Sequence, residues 1–229
     1  MKSLFNNSSY LVGPCAGTLV SPRVILSAFH CVQLWRTTKK DIRSCGVAVL
    51  GRHEIDLDVQ VTYPDPVKLR KYKTIPITKV LAPPNAPLNK HDDDYSDHDF
   101  ALMLLEHPAM YSSKVSPICL PEPHAEFGGL KATAAGWGST DAFGTEQSPV
   151  LKAVELTVSP KQYKHTKMFG TKITGKDNQY QDVCRGDSGN SITFSKAYKI
   201  GHSCRRSPDV LQPDNLQICP DRHSVWCWL

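Results

Sequence analysis

The chain reads as an all-β protein in two lobes, and three observations carry that expectation. Apolar residues fall in short runs bounded by turn residues; a longer run, Val150 to Val158, roughly alternates; and no stretch before residue 189 keeps a convincing helical period. In chain order, the first strand candidates are Tyr10-Leu11-Val12, Thr18-Leu19-Val20, Val24-Ile25-Leu26 and Val47-Ala48-Val49-Leu50. Ser21-Pro22-Arg23 makes a turn between two of them and Gly51 ends the last. Hairpins of this kind build a barrel. Val59, Val61 and Tyr63 alternate weakly, and Pro64, Pro66 and Pro76 are expected to confine their strands to sheet edges, since proline has no N–H for a ladder. A proline-rich stretch from Ala82 to Leu88 and an acidic one from His91 to Asp97 follow. Their aspartates lack the glycine and distal glutamate of a calcium loop, so they read as a solvated loop. Ala101 to Leu105 is a continuous apolar run of the buried-strand type, and Ile118 to Leu120 and Val150 to Val158 complete the strand candidates.

With 229 residues, 40% hydrophobic content and 17 prolines, the chain can bury one substantial core or two small adjoining ones. The net charge of +5 is spread along the chain. The basic pairs Lys39-Lys40, Arg70-Lys71 and Arg205-Arg206 offer only Tyr72 as a ring for a base to stack on, so no nucleic-acid partner is expected. Eight cysteines, an even number, suit an oxidising compartment, although spacing alone leaves all of about 105 pairings open. Residues 1–9 hold no apolar run of signal-peptide length, and no stretch is long and apolar enough to span a membrane as a helix. No membrane partner is expected.

The chemistry gathers at Cys184-Arg185-Gly186-Asp187-Ser188-Gly189. A serine hydroxyl needs a base, a group that orients the base, and donors for the developing oxyanion. Glycines allow the tight turn that aims backbone N–H groups at a substrate carbonyl, which makes the amides of Gly186 and Ser188 the natural oxyanion donors. In isolation such a motif is a common polar turn. A candidate base stands in Ser27-Ala28-Phe29-His30-Cys31, and a second cysteine, Cys15, opens the same segment. A candidate orienting group, Asp99, leads the apolar run after His98; a carboxylate there is costly to bury without a donor such as a histidine N–H.

Taken together, and in the order His, Asp, Ser, these segments resemble the trypsin-like (chymotrypsin-fold) serine endopeptidases, as do Ile118-Cys119-Leu120-Pro121 and Ala135-Gly136-Trp137-Gly138. The likeness covers residues 15 to 189. It implies two six-stranded-type antiparallel β-barrels with the active site between them. The whole chain, 1–229, would be a single peptidase domain: a first barrel over about 1–108, a second over about 109–189, and an unassigned tail over 190–229. It assigns Ser188 as nucleophile, His30 as general base and then acid, and Asp99 as the group fixing the histidine tautomer. Gly186 and Ser188 hold the oxyanion, and no cofactor is needed. It pairs Cys15 with Cys31 and Cys184 with Cys204, leaving Cys45, Cys119, Cys219 and Cys227 unassigned. The partners implied are protein or peptide substrates and protein protease inhibitors, and the location is secreted or extracellular. Asp182, six positions before Ser188, matches the base of the primary specificity pocket, where a carboxylate selects Arg or Lys.

The chain also departs from the family. Only fourteen residues precede Cys15, so the family's mature N-terminus has no counterpart, and Asp187 is expected to be a buried carboxylate without its cation unless another donor serves it. Gly189-Asn190-Ser191 stands where the family has Gly-Gly-Pro, and Ile200 to Cys204 only faintly echoes the substrate-binding strand. The barrels are accordingly expected to be incomplete at the N-terminus and after residue 189, and the chain to be weakly active. A catalytically impaired homologue serving as a binding or regulatory protein is the alternative. The tail residues His202, Cys204, Cys219, His223 and Cys227 are of zinc-ligand type, but their spacing matches no strong finger pattern, and no metal is expected.

Overall fold

The computed structural model describes residues 15–32, 46–55, 74–84, 86, 98–121, 125–141, 146–162, 169–173 and 183–194. The strand candidate at Tyr10 to Val12 and the alternation around Val59 to Tyr63 lie outside them. The described residues are all-β apart from one helical turn at 29–32.

Among the described residues, nine strands form two antiparallel sheets. The first takes β1 (Thr18–Ser21), β2 (Val24–Ser27), β3 (Val47–Val49), β4 (Thr74–Leu81) and β5 (Ala101–Leu105) in the order β1-β2-β5-β4-β3. Pro22 and Arg23 turn β1 into β2. The Arg23 guanidinium then donates to the carbonyls of Leu105, at 3.1 Å, and Glu106, at 3.0 Å, tying that turn to the end of β5. The second sheet takes β6 (Lys131–Gly136), β7 (Lys152–Gln162), β8 (Phe169–Ile173) and β9 (Ile192–Thr193) in the order β8-β7-β6-β9.

Two local expectations need correction. Pro76 lies on β4, an inner strand and not an edge. Its missing N–H is not called on toward β3, where the bond to Gly46 O comes from the next residue, Ile77, at 2.8 Å, and its carbonyl still accepts from Glu106 N at 2.8 Å. Ile118 to Leu120 is not a strand: Ile118 N donates to Leu19 O, but no strand ladder forms over the run and Leu120 is exposed.

Burial follows the strand period. Along β5, Ala101, Met103 and Leu105 are buried while Leu102 and Leu104 are half-exposed, so its apolar run presents one face to the core. Leu19, Ile25, Phe29, Ile75, Ile77 and Val115 join them in the first core. Under the second sheet Phe127, Ala132 and Val158 form one cluster, in which Phe127 stacks on Phe194 at 5.1 Å, and Ala134, Val154 and Leu156 form another. The sheets are tied along a seam. Glu54 bridges Val150, Ile55 N donates to Pro149 O at 2.8 Å, Leu151 N donates to His53 O at 2.7 Å, and the Trp137 indole N–H donates to the same His53 carbonyl at 3.0 Å.

Candidate active site

The β2–β5 ladder brings His30, the candidate base, and Asp99, its candidate orienting group, together. Ser27 pairs with Ala101, so the chain leaving β2 and the chain entering β5 lie side by side. His30 sits in the helical turn just after β2, and Asp99 sits two residues before β5. Phe29 N donates to Asp99 O at 3.2 Å, His30 N donates to Asp99 Oδ1 at 2.7 Å, and His30 Nδ1 lies 2.7 Å from Asp99 Oδ2. Asp99 is only 5% exposed, and the two hydrogen bonds to its carboxylate answer the cost of burying it. A carboxylate only accepts, so Nδ1 carries the proton facing Asp99, and Nε2 is left as the basic nitrogen. The His30 side chain is 39% exposed, which puts Nε2 in reach of a reacting group.

The disulfide Cys15–Cys31 fixes this turn to the strand entry on its other side. Sequence predicted that pairing from resemblance, and the geometry places it beside the loop that carries Ser188, the candidate nucleophile. Ala16 N donates to Ser188 O at 2.8 Å, and Cys31 Sγ lies 3.8 Å from the same carbonyl. Gly189, at φ 87°, is held even closer: a Cβ there would collide with Ala16 O and Ser27 Oγ. Ser27, a residue that sequence reasoning missed, donates its hydroxyl to Ala16 O at 2.6 Å and so completes the seat for the loop. Its signal was slight, a serine at the end of an apolar run.

The loop itself is braced from the second sheet. Ser139 donates to Arg185 O from both its N, at 2.8 Å, and its Oγ, at 3.0 Å. Asp187 is 8% exposed. Its Oδ1 accepts from Gly138 N at 2.8 Å and its Oδ2 from Cys184 N at 2.9 Å. Burial pushes its carboxyl above the ordinary carboxylate value, while the two backbone N–H bonds pull the other way. Among the described residues, the donors to the Asp187 carboxylate are thus backbone amides. The Gly-Trp-Gly stretch acquires a physical reason as well, because a Cβ on Gly136 or Gly138 would occupy the space of that carboxylate.

Gly186 has φ 106°, and the N–H groups of Gly186 and Ser188 donate to no protein group among the described residues. No hydrogen bond joins Ser188 Oγ to His30 in this arrangement. Asp182 and Cys204 lie outside the described residues, as do the zinc-type residues of the tail. Cys184 is disulfide-bonded, and so is Cys119, which the sequence left unassigned; neither partner is among the described residues. Cys15, His30 and Cys31 cluster in the manner of metal ligands, but both sulfurs are committed to the disulfide.

A family model described as Trypsin matches residues 1–206. A hepatocyte growth factor activator serine protease of Canis lupus familiaris is 31% identical over 202 residues, covering 82% of this chain and 28% of the relative. A venom serine protease of Polistes dominula is 28% identical over 188 residues, covering 79% of this chain and 60% of the relative. The clotting factor G beta subunit of Tachypleus tridentatus is 27% identical over 197 residues, covering 79% and 57%. The chain therefore spans less than two thirds of the length of these relatives. Among solved structures, human heparin binding protein superposes with a TM-score of 0.58 at 22% identity, covering 78% of this chain and 69% of that one. Mouse neuropsin, a serine protease, does so with a TM-score of 0.57 at 24% identity, covering 78% and 71%.

Proposed function

This chain belongs to the trypsin family of serine proteases, and from that premise we propose that it is an endopeptidase acting through Ser188, His30 and Asp99. The observation that carries the reading is the His30–Asp99 pair, a buried carboxylate 2.7 Å from Nδ1 that leaves Nε2 basic and accessible beside the loop of Ser188. Ser188 Oγ attacks the scissile carbonyl as His30 Nε2 takes its proton. The N–H groups of Gly186 and Ser188 hold the oxyanion, and His30 returns the proton to the leaving amine. Water then releases the acyl group by the same route in reverse order.

The substrates are proteins or peptides, with protein protease inhibitors as further partners. Cleavage after Arg or Lys is the specificity proposed, supported by Asp182 and its offset from Ser188. Action outside the cell is supported by the disulfides and by relatives named as venom and clotting proteins. Among the described residues no helix is long and apolar enough to cross a membrane.

A fluorophosphonate probe tests the reading. Labelling of the folded protein at Ser188, lost in Ser188→Ala, is expected; an unlabelled but demonstrably folded protein overturns it in favour of a binding or regulatory homologue. Profiling against a peptide library tests specificity: cleavage after Arg and Lys that disappears in Asp182→Ser is expected, and a preference for large apolar residues refutes the role of Asp182.

A further inference from the structure

Asn190 stands two residues after Ser188, and its Nδ2 is buried without a hydrogen-bond partner. A buried amide donor left unused is costly, so its surroundings bear on its purpose. The same turn holds Asp187, since Asn190 N donates to Asp187 O at 3.1 Å. Asp187 Oδ1 and Asn190 Nδ2 both crowd the point where a Cβ on Gly136 would stand. The unused donor is therefore within reach of the buried carboxylate that already accepts from Gly138 N and Cys184 N. Among the described residues, the charged groups near this carboxylate are Lys152, which lines the small cavity beside Asp187, and Arg185, which is exposed two residues away. Neither forms an ion pair with it.

We propose that Asn190 is a positioning residue for the oxyanion loop, its carboxamide Nδ2 serving as a third donor to the ionised Asp187 carboxylate. The assignment rests on the protease reading only for its consequence at Ser188; the bond is not made in this structure, where Nδ2 is unpartnered beside Asp187 Oδ1, and a rotation of the carboxamide on ionisation of Asp187 forms it. An uncharged donor carried by the loop then does from within what an external cation would otherwise do. Once Asp187 is ionised the turn is locked, and the N–H groups of Gly186 and Ser188 keep their aim.

The test is an NMR titration of Asp187 through its side-chain carboxyl carbon, assigned with Asp187→Asn, in the full chain and in Asn190→Leu, Asn190→Gly and Lys152→Met. Loss of a donor to the charged form is expected to raise the Asp187 pKa by about one unit, a tenfold change in proton affinity, in both Asn190 variants. Asn190→Gly is the discriminating one, because the smaller residue lets water nearer and burial alone would lower the value. The pH at which Ser188 becomes labelled by a fluorophosphonate should rise by the same amount. An unchanged or lowered value in Asn190→Gly, or a shift confined to Lys152→Met, overturns the proposal whether or not Ser188 is labelled. A raised value in a chain whose Ser188 is never labelled upholds the contact and sinks the protease reading instead. If Asn190→Leu fails to fold, Asn190→Gly carries the decision.

Discussion

Replacing Gly189 by alanine tests how the nucleophile loop is seated, and Gly129→Ala supplies an internal reference. Both glycines have positive φ, 87° and 80°, so an alanine at either costs roughly 1–2 kcal/mol in backbone conformation. At Gly129 nothing lies within 4 Å of the added methyl, and the conformational cost is the whole effect. At Gly189 the methyl collides with Ala16 O and Ser27 Oγ. Relief requires the loop to back away from two hydrogen bonds, Ser27 Oγ to Ala16 O at 2.6 Å and Ala16 N to Ser188 O at 2.8 Å. Each contributes roughly 0.5–1.5 kcal/mol. Gly189→Ala is therefore expected to destabilise the protein by about 2–5 kcal/mol, against about 1–2 for Gly129→Ala. Urea unfolding with disulfides intact measures both, and fluorophosphonate labelling reports whether Ser188 has moved. Equal losses from the two variants would show that the close approach at Gly189 contributes nothing.

Asp99→Asn keeps an acceptor for His30 N but turns an amide donor toward Nδ1, forcing the proton onto Nε2. Peptidase turnover is expected to fall roughly 10⁴-fold, the figure established for triads of this family, while unfolding remains cooperative; turnover near wild type would refute the role of Asp99. Removing the Cys15–Cys31 bridge with paired serines opens a loop of sequence separation 16 and is expected to cost about 3 kcal/mol and slow the labelling of Ser188, measured by urea unfolding and mass spectrometry. The raised pKa of Asp187 has a definite sign. The native state holds that proton more tightly than the unfolded chain, so stability is fully present below 3.8 and falls as pH rises to the native pKa, then levels. The difference in unfolding free energy between wild type and Asp187→Asn should therefore decline with pH across that window, and a difference that rises with pH would refute the assignment.

The sequence by itself determined the β class and the strands β1, β2 and β5 within a residue or two, while the pairing of Cys15 with Cys31 and the candidate chemical residues came from the family resemblance its motifs carry. These were legible because they depend on local signals: period-two burial, turn residues, and short motifs whose order along the chain is specific. The three chemical residues are far apart in sequence, and only the β2–β5 register sets His30 against Asp99, as only the meeting of the Ala16 and Ser188 backbones seats the loop. The inner position of Pro76 was likewise hidden, since a proline is barred from a ladder only where its missing N–H is needed, and that is decided by neighbouring strands. The sequence showed Asp187 as a carboxylate in want of a donor. Tertiary structure found the donors in the backbone of Gly138 and Cys184, because every peptide unit carries an N–H and no residue type announces where the chain will aim it.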